Sequence, residues 1–153
     1  MRTIKFRGKK VTNGVWAYGS LVYLDKNGAA IYVQTGNGSA MVMDLVYVAP
    51  DTVCQFTCFL DKNGKEIYEG DVLRSDKYPY SCIEIEERDN YFGLIEWNEN
   101  EAAFYIVTIK NPKSSVKGIS DGISDYLSKS ALQDFEVIGN IHDDEWKQFR
   151  EHL

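Results

Sequence analysis

The chain has 153 residues, of which 44% are hydrophobic and 26% are charged, a composition that fits one globular domain or two small subdomains. Its ten Tyr, seven Phe and three Trp argue against disorder of the whole chain. The net charge of −6 gives no overall attraction to nucleic acid or acidic lipid. Binding to either partner that is driven by the charge of the whole molecule is therefore disfavoured.

The N-terminal residues do not read as a signal peptide, and no stretch approaches the roughly 20 apolar residues that span a bilayer. We therefore predict an untargeted cytoplasmic protein that makes no membrane contact. Cys54, Cys58 and Cys82 are an odd set, which is typical of reduced thiols. A strand would hold Cys54 and Cys58 roughly 13 Å apart, too far for a disulfide and poorly suited to one tetrahedral ion. We predict no metal and no cofactor.

The first third of the chain has the pattern of a β-meander. Alternating, β-branched and aromatic residues predict successive strands, with Asn13-Gly14 and Asn27-Gly28 as hairpin turns between them. The predicted strands cover residues 3–7, 15–23 and 30–33, and residues 41–48 form a further strand or a short buried segment ended by Pro50.

The rest of the chain predicts a small barrel. Strand patterns recur at spacings of about 8–12 residues, at 68–74, 83–86, 91–97, 103–109 and 135–141. The Pro, Ser, Gly and Lys content of residues 111–125 predicts an exposed, mobile loop. Asp143 and Asp144 can cap a short C-terminal helix with Trp146, Phe149 and Leu153 on one apolar face.

These elements predict a mainly β fold. We expect an N-terminal β-meander subdomain over residues 1–56. A small, partly open β-barrel subdomain with a short C-terminal helix follows over residues 57–153.

No motif establishes a catalytic centre. Residues 118–122 spell the letters of a nucleophile elbow, but they lie in the predicted loop and not between a strand and a helix. Asp71 follows the turn residue Gly70, where its carboxylate can accept backbone N–H bonds and fix the turn. This structural role is favoured over catalysis. A small hydrolase or lyase that uses Asp71 or Glu69 in a cleft stays open as a second alternative.

Basic and aromatic residues give two candidate binding surfaces. The first strand could contact phosphates through Lys5, Arg7, Lys9 and Lys10. Tyrosines at alternating strand positions could stack on bases, although core packing and cross-strand pairing are commoner uses of such positions. The predicted terminal helix offers Trp146 and Phe149 as contacts for a protein partner.

Several stretches resemble one family. They are Ile4-Lys5-Phe6-Arg7, Trp16-x-Tyr18-Gly19-Ser20-Leu21, Thr52-Val53-x-Gln55-Phe56-Thr57, Asp61-Lys62-Asn63-Gly64-Lys65-Glu66-Ile67-Tyr68-Glu69-Gly70-Asp71-Val72 and Val137-Ile138-Gly139-Asn140-Ile141. With them the chain resembles the YopX family of small bacteriophage and prophage proteins over nearly its whole length. One departure is Cys58-Phe59, where the family more often has Gly-Leu.

The resemblance implies a β-rich, barrel-containing fold and a phage or prophage origin, and it supplies no catalytic residue. Its shared positions indicate a structural motif of turns and strand starts that comprises Gly64, Tyr68, Glu69, Gly70, Asp71, Gly139 and Asn140. We expect an accessory, non-enzymatic protein-interaction module that binds a host or phage protein or forms a homo-oligomer. The first alternative is a nucleic-acid-binding small β-barrel.

Overall fold

Antiparallel strands dominate the computed structural model, which describes residues 1–24, 28–36, 42–75, 91–109 and 124–147. The strands are β1 (Phe6–Lys9), β2 (Trp16–Tyr23), β3 (Ala29–Thr35), β4 (Val42–Val48), β5 (Cys54–Leu60), β6 (Glu66–Tyr68), β7 (Asp71–Ser75), β8 (Tyr91–Asn98), β9 (Ala103–Ile109), β10 (Ser124–Tyr126) and β11 (Glu136–Asn140). One short helix, α1, covers Lys129–Leu132, and a 3₁₀ turn covers Pro50–Thr52. The chain divides into two units, Met1–Cys58 and Phe59–Leu153.

The first unit is built on strands in the hydrogen-bonded order β4-β3-β2-β1-β5. Side chains of a strand alternate between two faces, and one face of this sheet forms the core of the unit. Its fully buried members include Ala17, Ile31 and Val48. Gly19 shares this face with Ala17 by strand alternation, and a Cβ there would stand 2.1 Å from the Tyr32 carbonyl oxygen. Only glycine permits so close an approach.

The end of β4 returns to the end of β1. Val11 donates its N–H to the Tyr47 carbonyl at 3.2 Å, and Ala49 donates its N–H to the Lys9 carbonyl at 2.9 Å. Between them, Lys10 and Val48 form an antiparallel β-bridge. These bonds occupy the outer side of β4 at its C-terminal end. The β1–β2 turn forms as predicted, with Gly14 at φ 69° and the Asn13 side chain accepting the Val15 N–H.

The second unit contains a five-stranded sheet in the order β10-β9-β8-β7-β11. Its main core packs Ile67, Leu73, Tyr91, Ile95, Phe104, Ile106, Leu132 and Phe135. The Ser128 side chain caps α1 by accepting the Ala131 N–H at 3.1 Å. A smaller cluster covers the other side of the sheet with Val72, Leu94, Ile109 and Ile141.

The mainly β prediction is confirmed, with two antiparallel sheets and a short helix. The second sheet runs from β10 to β11, and among the described residues these two strands do not pair with each other, in keeping with an open arrangement. Of the two options left open for residues 41–48, a strand or a short buried segment, the structure shows a strand, Val42–Val48. The predicted boundary between residues 56 and 57 stays a prediction.

Two local predictions need correction. The predicted loop 111–125 is wrong at its end, because Ser124–Tyr126 pairs with β9 through backbone hydrogen bonds that loop composition does not reveal. The second correction is that α1 was missed, whereas residues 144–147 of the predicted terminal helix are helical in the 3₁₀ form and its later residues lie outside the described part of the chain. Outside the described residues lie Asn27, Cys82, Phe149, Leu153, 83–86, 111–123 and 118–122. No helix among the described residues is long and apolar enough to cross a membrane.

Cys58 departs from ordinary strand geometry. Its φ of 71° lies in the left-handed region that favours glycine, and its thiol donates to the Thr3 carbonyl at 3.2 Å. The resemblance leads us to expect Gly at this position, and the left-handed φ of Cys58 agrees with that expectation.

Candidate docking surface on the first sheet

The face of the first sheet opposite its core presents apolar side chains to solvent. The register places Ser20 beside Tyr32 and Tyr32 beside Leu45, so these three side chains share one face. The same alternation adds the other members of what we call the outer face, which comprises Tyr18, Tyr32, Met43, Leu45 and Tyr47.

Each outer-face side chain is exposed, with relative accessibilities of 43% for Tyr18, 38% for Tyr32, 48% for Met43, 41% for Leu45 and 58% for Tyr47. They are also adjacent. The Tyr32 hydroxyl lies 3.5 Å from the Met43 sulfur, and Leu45 is the direct cross-strand neighbour of Tyr32. Contiguous apolar surface of this kind marks interaction sites, whereas isolated exposed apolar residues do not.

Basic side chains border the outer face along β1. Lys5 Nζ lies 5.8 Å from the centre of the Tyr18 ring, Arg7 Cζ lies 4.3 Å from the Trp16 ring, and Lys9 Nζ lies 5.2 Å from the same ring. These are cation–π distances. Arg7 is 5% exposed, whereas Lys5 and Lys9 are half-buried. The fourth predicted base, Lys10, is held in the bridge to β4.

The β4 strand is the last strand in its sheet order, and part of its edge is open. The Tyr47 carbonyl accepts the Val11 N–H on the side of β4 away from β3. Every second residue of a strand points its N–H and C=O groups to the same side, so the residues two and four positions before Tyr47 also point theirs away from β3. Met43 and Leu45 therefore direct four backbone groups outward. Among the described residues, no strand pairs with the edge at these two positions.

In the second unit, Asp71 and Asn140 tie a turn to the last strand. Asp71 is fully buried, and its two carboxylate oxygens accept the Tyr68 N–H at 2.8 Å and the Asn140 side-chain amide at 3.1 Å. The same amide nitrogen also reaches the Glu69 carbonyl at 3.2 Å. Gly70 takes φ 72° between these groups, and its carbonyl accepts Ile141. The geometry is that of a buried structural network.

A second carboxylate organises the hairpin between β5 and β6. Asp61 accepts the N–H groups of Asn63 and Lys65 through one oxygen and that of Val137 at 3.0 Å through the other. Gly64 supplies the positive φ of 80° in the turn. Asp61 thereby joins a local turn to a strand far along the chain.

Glu136 carries the clearest electrostatic perturbation in this region. The hydrogen bond from Arg74 lowers the pKa of the Glu136 carboxyl below its ordinary value of 4.5, with partial burial opposing the shift and Lys62 adding to it. Lys62 Nζ stands 3.3 Å from the carboxylate. The three side chains form an ion-pair group that links β7, the hairpin turn and β11.

Gly139 and Trp146 form another packing unit. A Cβ at Gly139 would lie 2.3 Å from Trp146 Nε1, so the indole rests directly on the strand backbone. The Trp146 ring centre is 6.2 Å from that of Phe92. Much of the Trp146 surface offered to a partner in the sequence-based prediction is therefore used inside this unit.

An open depression of about 330 Å³ lies on the β8–β9 hairpin, lined by residues 96–100 with Tyr105 and Val107. Neither Asp71 nor Glu69 lines it. Nearby, Glu101 accepts the Tyr126 hydroxyl and raises the pKa of that phenol.

In the described part of the chain, no group of three or more His, Cys, Asp or Glu is arranged to hold a metal ion. Cys54 is buried and Cys58 is exposed, both as free thiols.

Comparison with known proteins gives the family. A sequence profile described as YopX protein matches residues 5–145. The chain belongs to the YopX family. The chain is also similar in fold to a solved structure, the crystal structure of protein EF1440 from Enterococcus faecalis, with a TM-score of 0.53 at 18% identity. That match covers 95% of this YopX chain and 97% of EF1440, and at this identity it shows the fold alone. No curated protein matches this YopX chain.

Sequence reasoning singled out the bases of this YopX protein but missed most of its outer face. Tyr18 and Tyr32 appeared only among general aromatic positions, and Met43, Leu45 and Tyr47 were passed over. A signal was present, because residues 42–48 read Val-Met-Asp-Leu-Val-Tyr-Val with apolar residues at both parities. Such a strand is apolar on both faces. Only the fold shows that none of the described residues covers one of its faces and part of its edge.

Proposed function

We propose that this YopX-family protein is a non-enzymatic accessory module of phage or prophage origin that acts in the bacterial cytoplasm and docks a partner protein on its outer face. The observation that carries the proposal is the contiguous set of exposed apolar side chains formed by Tyr18, Tyr32, Met43, Leu45 and Tyr47. These side chains lie on the face opposite the core cluster of this unit, so they take no part in packing that core.

The chemistry of the outer face favours protein over nucleic acid. Tyr and Met are enriched at protein interfaces, and Met43 and Leu45 on β4 offer aliphatic surface that cannot stack on bases as aromatic rings do.

The size of the face favours a short partner segment. Met43 to Tyr47 spans about 13 Å at the rise of a strand, and β2 to β4 spans about 10 Å at the spacing of neighbouring strands. Such a patch is far below the roughly 800 Å² per partner of a standard globular interface. An extended segment of a few residues fits it better.

Paired substitutions test this proposal. The tagged protein is purified from phage-carrying host cells, the co-purifying protein is identified, and its affinity is then measured with both proteins pure. Tyr32→Ser and Leu45→Ser should each weaken binding at least about tenfold, the scale of interface hot spots. Tyr23→Ser is the matched control, because Tyr23 is 72% exposed but belongs to the parity of the core face.

Unchanged unfolding midpoints would show that the Ser variants remain folded. The proposal fails if both bind like the wild type, or if no protein co-purifies reproducibly. If the co-purifying protein is a second copy of the chain, the homo-oligomer reading replaces the hetero-partner.

A second candidate, single-stranded nucleic-acid binding, is favoured by the placement of Lys5 over the exposed ring of Tyr18. An oligonucleotide would then stack on Tyr18 while Lys5 and Lys9 contact phosphates, and its affinity would fall steeply with salt. Lys5→Glu and Lys9→Glu should each weaken binding and reduce its salt dependence, whereas Lys129→Glu in the second unit should leave both unchanged. Equal affinities for all variants would remove this candidate.

A further inference from the structure

We infer that the open edge of β4 at Met43 and Leu45 is a strand-addition site for an extended partner segment that reads apolar, basic, apolar. The inference rests on the proposed function and specifies how the partner is held. It combines three observations: outward backbone groups, an apolar outer face beside them, and a single exposed carboxylate, Asp44, between them.

The backbone supplies the affinity. Met43 and Leu45 together direct two N–H and two C=O groups away from β3. The Tyr47 carbonyl, two residues after Leu45, bonds on that outward side, and the Val42 carbonyl, one residue before Met43, faces Thr35 on β3. A partner strand can satisfy all four groups. Its run is limited at one end, because Val11 already occupies the Tyr47 carbonyl.

The side chains supply the specificity. Partner residues opposite Met43 and Leu45 would lie on the outer face beside Tyr32, where apolar groups cover apolar surface. The residue between them would point to the other face, directly opposite Asp44. Asp44 is exposed, and its cross-strand neighbour on β3 is Val33, which offers it no charge. A Lys or Arg in the partner supplies the complementary charge.

Asp44 also disfavours the simplest alternative occupant, a second copy of β4. The antiparallel register that uses all four outward groups pairs Met43 with Leu45 of the other copy. It therefore places Asp44 against its own symmetry mate, and like charges directly opposite one another destabilise a strand pair. An inward-pointing charge on an edge strand is a known device against self-pairing.

The test is a peptide titration of the isotope-labelled full chain followed by NMR. The probe is a blocked peptide, Thr-Thr-Val-Lys-Val-Thr-Thr, and its partner probe has Glu in place of Lys. We expect shifts centred on the amides of Met43 and Leu45 and about fivefold tighter binding of the Lys peptide, from one favourable and one unfavourable cross-strand charge pair. Asp44→Lys should reverse the preference.

Leu45→Pro provides the backbone test. It removes an outward N–H together with the Leu45 side chain, and an edge strand tolerates proline there, so the protein should fold and lose more peptide binding than Leu45→Ala does. Leu45→Ala keeps the N–H and should retain the Lys preference with weaker binding. Solubility and unfolding midpoints of both variants are measured alongside.

Three results would overturn the inference: equal binding of the two peptides, absence of binding at millimolar peptide, or a wild-type dimer whose interface includes β4. The proposed function is judged separately with the purified partner. If Tyr32→Ser and Leu45→Ala weaken binding of that partner and Leu45→Pro weakens it no further than Leu45→Ala does, docking on the outer face stands and strand addition is wrong.

Discussion

Replacing Asp71 with Asn, a side chain of nearly the same shape, should destabilise the second unit by exchanging a hydrogen-bond acceptor for a donor. In the native network, the Asp71 carboxylate accepts from two donors, the Tyr68 N–H at 2.8 Å and the Asn140 amide at 3.1 Å. An Asn side chain has one acceptor oxygen and one NH₂ donor. In either orientation of its amide, a donor faces a donor.

The expected loss is about 2–3 kcal/mol, the cost of leaving a buried donor unsatisfied at a site with no solvent access. Asn140→Asp alone should cost about 3–5 kcal/mol, since it puts two carboxylates together in a buried site. In the double variant, the amide introduced at position 71 can donate to the carboxylate introduced at position 140, and the His142 N–H keeps its acceptor there, although the Glu69 carbonyl still loses the Asn140 donor. The two changes should therefore be non-additive by about 2–3 kcal/mol.

Urea unfolding followed by tryptophan fluorescence and circular dichroism gives the four free energies of unfolding in this cycle. A loss below about 0.5 kcal/mol for Asp71→Asn would show that the buried pair does not hold the turn. Additive losses would refute the direct contact between residues 71 and 140. Binding of a partner to the outer face should be the same for every folded member of the cycle.

Three further variants test other features of the structure. Cys58→Gly should gain up to about 1 kcal/mol in urea unfolding by relieving a φ of 71°, while Cys58→Ala, which keeps a Cβ, should not gain. Gly139→Ala should lose about 1–3 kcal/mol and red-shift the fluorescence as Trp146 is displaced; an unshifted spectrum would contradict the packing. Because Arg74 lowers the folded-state pKa of Glu136, that pair stabilises the fold above the ordinary value of 4.5 and loses this contribution as the pH falls through the lower value. Glu136→Gln should therefore be less stable than the wild type at neutral pH and equal to it in acid; a constant difference would refute the assignment.

Local chemistry explains which parts of the fold were readable. The Asn13-Gly14 turn follows from residues that tolerate positive φ, and alternating β-branched and aromatic residues mark most of the described strands. The role of Asp71 next to Gly70 could also be stated from neighbours in sequence, because its bond to Tyr68 spans three residues.

Long-range contacts explain what was missed. Asp61 binds Val137 across 76 positions, and Asn140 binds Asp71 across 69, so neither contact leaves a trace in local composition. The short strand at Ser124–Tyr126 is set by pairing with β9, which overrides the loop-like residues before it. Whether an apolar strand such as β4 is covered depends on its place in the sheet order, which periodicity does not encode.

The two units use their unusual residues in opposite ways. In the second unit, the buried polar groups Asp61, Asp71 and Asn140 all hold turns or strands together, so their loss should appear as lost stability. In the first unit, Tyr32 and Leu45 are exposed on the face away from the core, where truncation removes little buried area. Stability and binding should therefore separate by residue: substitutions in the buried network lower the unfolding free energy and leave affinity intact, and substitutions on the outer face do the reverse.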